Sequence, residues 1–472
     1  MSETSITRRD VVKGALGLAT LGALPASAAG NGRERVAIIG GGAGGVATAY
    51  FLAGRFDVDL FEARSRIGGQ CDSRVIKHRG RRITVDLGAQ FFHPDTHPIY
   101  VTLLEELGLY DPEHPDADAT VEAPGSLCIF RTAGGAPIFS SLDPLSTPLR
   151  AIDFATFTQL ARQAVLSDMS WEISVDAWIR SLPLRPSFKK DVLYPWITAT
   201  IGCARGDARR ASARSILQTF ALTFPANVLE GATTYNSKIG MQGNLQRMLD
   251  RSPTARVHLS SPARALSRTR AGWFLQTPAG RKGPFRYVVL NAPPRAGREL
   301  LRPLPAFADV TALLDVYRYF DSRLLVHTDS AYMPRDRRNW GAYNAGVRGL
   351  QCEGSAWLGA LQEKSASGAS VHVFKSWAQR RRADPKRILL ERRFKHPLIS
   401  RSTIKAARAL RPHQGRKGLY FSGTYTTGMD LQESALYSAM KVAEELAPDS
   451  RRLASLKTRL SARGRAGISY DL

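Results

Sequence analysis

Cysteine is scarce in this chain of 472 residues: the four present, Cys71, Cys128, Cys203 and Cys352, stand too far apart for a zinc site or a redox pair. Isolated buried thiols are the expectation. Histidine is thin as well, nine in all, and forms no metal cluster. His93 and His97 are four apart, but Pro94 and Pro98 beside them work against a helical metal pair. No resident metal is expected. Long apolar runs are missing too, so no segment reads as a spanning helix of about 20 residues. Negative charge is the remaining deficit, because 41 acidic side chains against 66 basic ones leave a formal charge of +25. The cations are mostly scattered arginines, clustered only at Arg380-Arg381-Arg382 and between Arg451 and Arg465. With no recognisable nucleic-acid module, this pattern argues against nucleic-acid binding. It leaves an anionic membrane or cell-wall surface, an acidic substrate or an anionic cofactor as partners.

What is present is ordinary for a globular protein, 43% hydrophobic and 23% charged. One core seldom grows beyond roughly 250 to 300 residues, so the length allows two intermingled domains with a sizeable cavity. The first 29 residues stand apart. Thr7-Arg8-Arg9-Asp10-Val11-Val12-Lys13 precedes a mild apolar stretch over 14–24 and then Ala26-Ser27-Ala28. That grammar looks like a twin-arginine signal peptide and predicts a periplasmic or secreted protein, exported after folding around a cofactor.

A mostly apolar strand over Arg35–Ile39 runs into Gly40-Gly41-Gly42-Ala43-Gly44-Gly45. A helical pattern over 46–53 and a short strand over 58–61 complete a β-α-β unit. A strand feeding glycines into a helix gathers unpaired amides and the positive helix end at one point, where a diphosphate can rest. Gly40 lets the chain turn, Gly42 lets phosphate approach the backbone, and Gly45 lets helix and strand pack closely. Glu62, at the end of the second strand, stands where an acid binds ribose hydroxyls. It would repel an extra 2′-phosphate, which disfavours an NADP-dependent reductase. Ala43 and Gly44 complete the candidate dinucleotide seat.

The next residues, Glu62-Ala63-Arg64-Ser65-Arg66-Ile67-Gly68-Gly69-Gln70, resemble the second signature of the flavin-containing amine oxidase superfamily. In that signature Gly68 and Gly69 allow close approach to the diphosphate and arginines such as Arg64 supply charge. The family pattern carries Arg where this chain has Gln70. Val85-Asp86-Leu87-Gly88-Ala89-Gln90-Phe91-Phe92 resembles the family loop that passes beside the isoalloxazine ring. Ser261-Pro262-Ala263 is similar to the segment whose backbone meets the adenine. Tyr420-Phe421-Ser422-Gly423-Thr424-Tyr425 and Gln432-Glu433-Ser434-Ala435 resemble the closing flavin motif, where a helix N-terminus faces the pyrimidine side of the ring. Weaker strings, among them Tyr194-Pro195-Trp196, His327-Thr328-Asp329 and Phe394-Lys395-His396-Pro397, look like a branch of predicted flavin-binding proteins related to phytoene desaturases.

The resemblance implies FAD and an α/β fold in which a Rossmann-like FAD-binding domain is interleaved with an α+β substrate-binding domain. On that basis the FAD-binding domain takes 33–95, 241–300 and 386–447, and the substrate domain takes 96–240 and 301–385. The first insertion reads as mainly helical, and the second mixes strands with Trp- and Tyr-containing loops. The basic, polar tail over 448–472 is expected to fray. The implied activity is hydride transfer from a small organic molecule to FAD, with amine or amino acid oxidation favoured. Desaturation or isomerisation of an apolar lipid or polyene is the rival, and a non-catalytic FAD-binding protein the third reading.

Three departures weigh against amine oxidation. No cysteine lies near Gly423 for a covalent flavin link. Leu431 replaces a cage aromatic. The segment 314–325 has Arg318 and Arg323 but no lysine where the family commonly places one. Catalytic side chains are not assigned, and Phe91, His327, Asp329 and Tyr425 are candidate pocket residues.

Overall fold

The computed structural model describes residues 32–115, 119–227, 230–362, 371–465 and 469–472. The twin-arginine reading falls on residues outside these. The order of strands in the first sheet is Ala255–His258, Asp57–Phe61, Arg35–Ile39, Tyr287–Leu290 and Leu419–Phe421, all parallel. Such a sheet must be covered on both faces, which is why Val36, Ile38, Val58, Leu60, Val288 and Val289 are all buried. Helices Ala43–Leu52 and Gln432–Leu446 pack against each other over it. An antiparallel three-stranded sheet, residues 265–285, flanks the same region.

A seven-stranded sheet runs in the order Ile388–Pro397, Tyr319–His327, Phe374–Trp377, Gln351–Trp357, Tyr343–Arg348, Leu127–Arg131, Pro137–Ser140. Helices Pro148–Leu166, Tyr194–Ile201 and Ala213–Leu217 pack with the Leu127–Arg131 end of it around a second apolar core. The result is a mixed α/β protein, as expected from the motifs. The first insertion is mainly helical, as expected, and also supplies strands Thr120–Pro124, Leu127–Arg131, Pro137–Ser140 and Thr233–Ser237. Leu127–Arg131 is a short, mostly apolar run whose periodicity cannot be told from a buried helix turn, and Thr233–Ser237 is too polar to announce a strand. Leu127 pairs with Tyr343, far along the chain, and that pairing makes the strand.

The C-terminal tail also differs from expectation. Arg451–Ala462 is a helix opened by the Ser450 side chain, which accepts from Leu453 N. Leu453, Leu456 and Leu460, spaced three and four apart, are buried in the first core, where each contributes about 1.5 to 3 kcal/mol. Positive charge on the other faces hid this stripe. Tyr470, beyond the helix, is buried and its hydroxyl donates to Glu433 Oε1 at 3.2 Å. No helix among the described residues is long and apolar enough to cross a membrane.

Candidate cofactor and substrate site

Four strands of the parallel sheet end level with one another: Ile39 pairs with both Phe61 and Leu290, and Leu290 pairs with Phe421. The next residue of each strand, Gly40, Glu62, Asn291 and Ser422, is thereby delivered to one carboxyl edge, the usual ligand crevice of an open parallel sheet. Gly40 takes φ 110°, and a Cβ there would lie 2.7 Å from the Asn291 carbonyl oxygen. A Cβ on Gly45 would lie 2.0 Å from the Gly40 carbonyl oxygen, so helix and strand touch backbone to backbone. Gly42 is different, since a Cβ there would meet only Asn291 Nδ2 at 3.5 Å. It is the N-cap of the Ala43–Leu52 helix, with no side-chain cap and no acid in the first turn. An open, uncapped helix start is an anion seat.

Around that seat, Glu62 Oε2 accepts from Gly41 N at 2.7 Å and Oε1 accepts from Arg64 N at 2.8 Å. The carboxylate is therefore held at the crevice, ready for a sugar edge. Gly68 N donates to Gly41 O at 2.7 Å, which ties the Gly68-Gly69 turn to the glycine loop. Arg64 Nη1 donates to Gly69 O at 3.2 Å. Gln70 braces the neighbouring loop: its carbonyl accepts from Ala89 N at 3.3 Å, and a Cβ on Gly88 would lie 1.9 Å from that same oxygen. Gln90 Nε2 is buried and has no partner among the described residues.

A single cavity of about 1710 Å³ starts at this seat. Gly40, Gly42, Ala43, Gly44, Glu62, Ala63, Arg64, Gly68, Gly69, Gln70, Gly88, Ala89, Gln90, Gly423 and Ala435 all line it. Gly45, Ala263, Glu433 and Ser434 are not among its lining residues. Gly45 is the packing contact described above, and Ala263 packs against the core beside the antiparallel sheet. Glu433 is fully buried and accepts from Ile99 N and Tyr100 N at 2.9 and 2.8 Å, so it caps the Pro98–Glu106 helix. Burial pushes its carboxyl up to about 8, against donors that favour the charged form. Ser434 Oγ donates to Met429 O and Leu431 O, closing the loop before its own helix.

Of the candidate pocket residues, Phe91 and Tyr425 line the cavity. His327 is buried elsewhere, with Nε2 2.8 Å from Ser376 Oγ, and burial lowers its pKa to about 4. Asp329 accepts from Ala331 N and Asp384 N, as a turn-forming acid. Two lining residues escaped the sequence reading. Asn291 follows the Tyr287–Leu290 strand, and its Nδ2 donates to Gly40 O at 3.0 Å while its Oδ1 faces Gly44 and Gly423. Lys375 lies on the Phe374–Trp377 strand, outside the stretch searched for a lysine. Its buried Nζ donates to the Asp86 carbonyl at 2.7 Å, at the start of the Gly88–Ala89–Gln90 loop. Burial lowers the Lys375 pKa to about 8 and raises that of Asp86 to about 6. The available signal was a lone cation inside the apolar run Val371-His372-Val373-Phe374-Lys375-Ser376-Trp377.

The far end of the cavity is built by Phe139, Phe154, Trp196, Phe220 and Phe224. Trp196 and Phe220 rings lie 4.7 Å apart and Phe139 and Phe154 4.6 Å apart. Between segments 126 and 225, every described residue that lines the cavity is apolar, Ser or Thr, and none is ionisable.

A parallel sheet with an open helix start, an acid at its carboxyl edge and one cavity much larger than the roughly 300 to 1,000 Å³ of a single small-ligand pocket is the arrangement of a dinucleotide-binding protein. The chain belongs to the flavin containing amine oxidoreductase family, whose sequence profile matches residues 43–360. Among solved structures it is similar to a fatty acid isomerase from P. acnes that produces CLA (TM-score 0.62, 13% identity, 88% of this chain and 99% of that one). It is also similar to wild-type putrescine oxidase bound to putrescine (TM-score 0.60, 15% identity, 88% and 99%). A third is an enzyme provisionally described as a protoporphyrinogen oxidase from Exiguobacterium sp. 255-15 (TM-score 0.58, 16% identity, 88% and 98%). These likenesses show the shared fold. Comparison with curated proteins finds no match.

The protein is an FAD-dependent oxidoreductase, and its residues fit that cofactor. The open face of Gly42, Gln90 Nε2 with no partner among the described residues, and the clash that a Cβ on the lining residues Gly40 or Gly88 would cause describe a cradle shaped by backbone.

Proposed function

We propose that this enzyme takes a hydride from an elongated, apolar substrate. One observation carries the reading: the wall between residues 126 and 225 presents aromatic and aliphatic side chains and no ionisable group to the cavity. Burying an ammonium or carboxylate there without a partner would cost several kcal/mol, about 2 to 7 even for an uncharged polar group, whereas each buried methylene gains about 0.8 kcal/mol. FAD, when bound, supplies the two-electron acceptor. The chain's part is to exclude water and align the substrate with Phe154, Trp196 and Phe220. Lys375, neutral at Nζ once deprotonated, takes up the proton the substrate loses, beside the Gly88–Ala89–Gln90 loop.

An amine reading draws on Asp430, which also lines the cavity, held by Thr424 Oγ1 at 3.2 Å and His396 Nδ1 at 3.7 Å. Anaerobic mixing of the holoenzyme with long-chain unsaturated acids and polyenes on one side, and hydrophilic amines and amino acids on the other, separates the two. Loss of the oxidised flavin absorbance with the apolar set is expected. Bleaching by hydrophilic amines alone would overturn the apolar reading.

The twin-arginine pattern supports export of the folded, loaded chain. Replacing Arg8 and Arg9 by Lys should leave holoprotein in the cytoplasmic fraction, and unchanged export of that variant would remove the proposal.

A further inference from the structure

Twelve large apolar side chains are exposed among the described residues, and four of them fall together: Leu142 is 47% exposed, Leu145 85%, Leu149 58% and Ile152 58%. Leu145 lies in the short 3-10 turn Pro144–Ser146, and Leu149 and Ile152 in the first turns of helix Pro148–Leu166. Leu149 and Ile152, three apart, share one face of that helix, and Leu142 and Leu145 lie just before its start. A surface helix normally turns polar residues outward. Here the same helix turns Ala151, Phe154 and Ala155 to the cavity and leucine and isoleucine to the outside. Leu142 and Pro144 are both exposed and part of the cavity lining, so the cavity reaches the surface under this patch.

We infer that residues 142–152 are the face by which the enzyme sits on an anionic lipid bilayer, so that an apolar substrate enters the cavity from the acyl layer. A contiguous exposed apolar patch marks a docking surface. The rim cations are largely engaged: Arg185 with Asp153 at 2.9 Å, Arg150 with Asp191 at 3.5 Å, Arg338 with Asp336 at 2.7 Å. Selection for anionic lipid therefore comes from the field of the whole chain, formally +25. Leucines inserted at the headgroup boundary supply the local grip. The inference rests on the apolar-substrate reading for its purpose, though not for its test.

The experiment is co-sedimentation of the full-length holoenzyme with vesicles of phosphatidylglycerol and phosphatidylcholine, or of phosphatidylcholine alone. It compares wild type with the double variant Leu145→Glu, Leu149→Glu, two exposed residues outside the cavity lining. Wild type should bind the anionic vesicles. The variant should bind at least about tenfold more weakly, with flavin absorbance and melting unchanged. Equal binding by the two proteins, or no binding of wild type, overturns the inference. So does a wild-type dimer that the variant converts to monomers, because a second copy would then cover the patch. Docking without flavin reduction by any apolar substrate sinks the substrate reading alone, and reduction without docking sinks the docking face alone.

Discussion

The two ends of the cavity recognise their ligands by different physics. At the glycine end the wall is backbone, from Gly40, Gly42, Gly44, Gly68, Gly69 and Gly88, and a single added carbon on Gly88 would sit 1.9 Å from the Gln70 carbonyl oxygen. At the aromatic end the wall is side chain, with Phe154, Trp196, Phe220 and Phe224 contributed from separate helices and turns. A backbone wall must be encoded by residues at fixed spacing, so it leaves a motif. A side-chain wall needs only volume and apolarity, and different sequences can supply those.

The comparison is broken most severely by Gly45→Val. Neither the Gly40 carbonyl nor the helix can retreat, so the variant should purify without FAD or fail to fold, checked by its visible absorbance. Lys375→Met, at the junction of the two ends, comes next. Loss of proton transfer at Nζ should slow flavin reduction roughly 100-fold while FAD stays bound. The wild-type rate should rise with pH through about 8, where the buried ammonium is neutralised, and that step should vanish in the variant. The sign for stability follows. Because the folded pKa lies below that of an unfolded lysine, the unfolded chain binds more protons between about 8 and the usual lysine range. The lysine's contribution therefore favours folding more as pH rises across that window.

Glu62→Ala removes a carboxylate that accepts from Gly41 N and Arg64 N. FAD dissociation should strengthen by about 10- to 100-fold, read by flavin release on dilution, with substrate preference unchanged. Trp196→Ala sharpens the contrast from the other side, since FAD content should hold while KM for an apolar substrate rises about tenfold. A Trp196 variant that lost its flavin would mean the two ends are not separable. The smallest effect expected is Leu456→Ala in the terminal helix, a loss of about 2 to 5 kcal/mol in stability with kcat unchanged.

Much of the cofactor half was legible along the chain. The β-α-β unit stands where local pattern placed it, because strand, glycine turn, helix and second strand form one contiguous run with its own turn chemistry. The substrate half was not. Leu127–Arg131 becomes a strand only through Tyr343–Arg348, and even in the cofactor half Glu433, which its motif assigns to the flavin, caps the Pro98–Glu106 helix. The leucines of Arg451–Ala462 were visible, but their partners in the first core were not.

By itself the sequence determined the glycine turn of the β-α-β unit at Gly40 to Gly45 and the acid Glu62 at the end of its second strand, because those features are local and set by spacing, while FAD followed from the resemblance of the next residues to a flavoprotein signature. Only the tertiary structure decided that Lys375 and Asn291 reach the cavity and that its far end is apolar and opens beneath exposed leucines. These features join residues from strands and helices distant in the chain, and a side chain's surroundings are set by what packs against it.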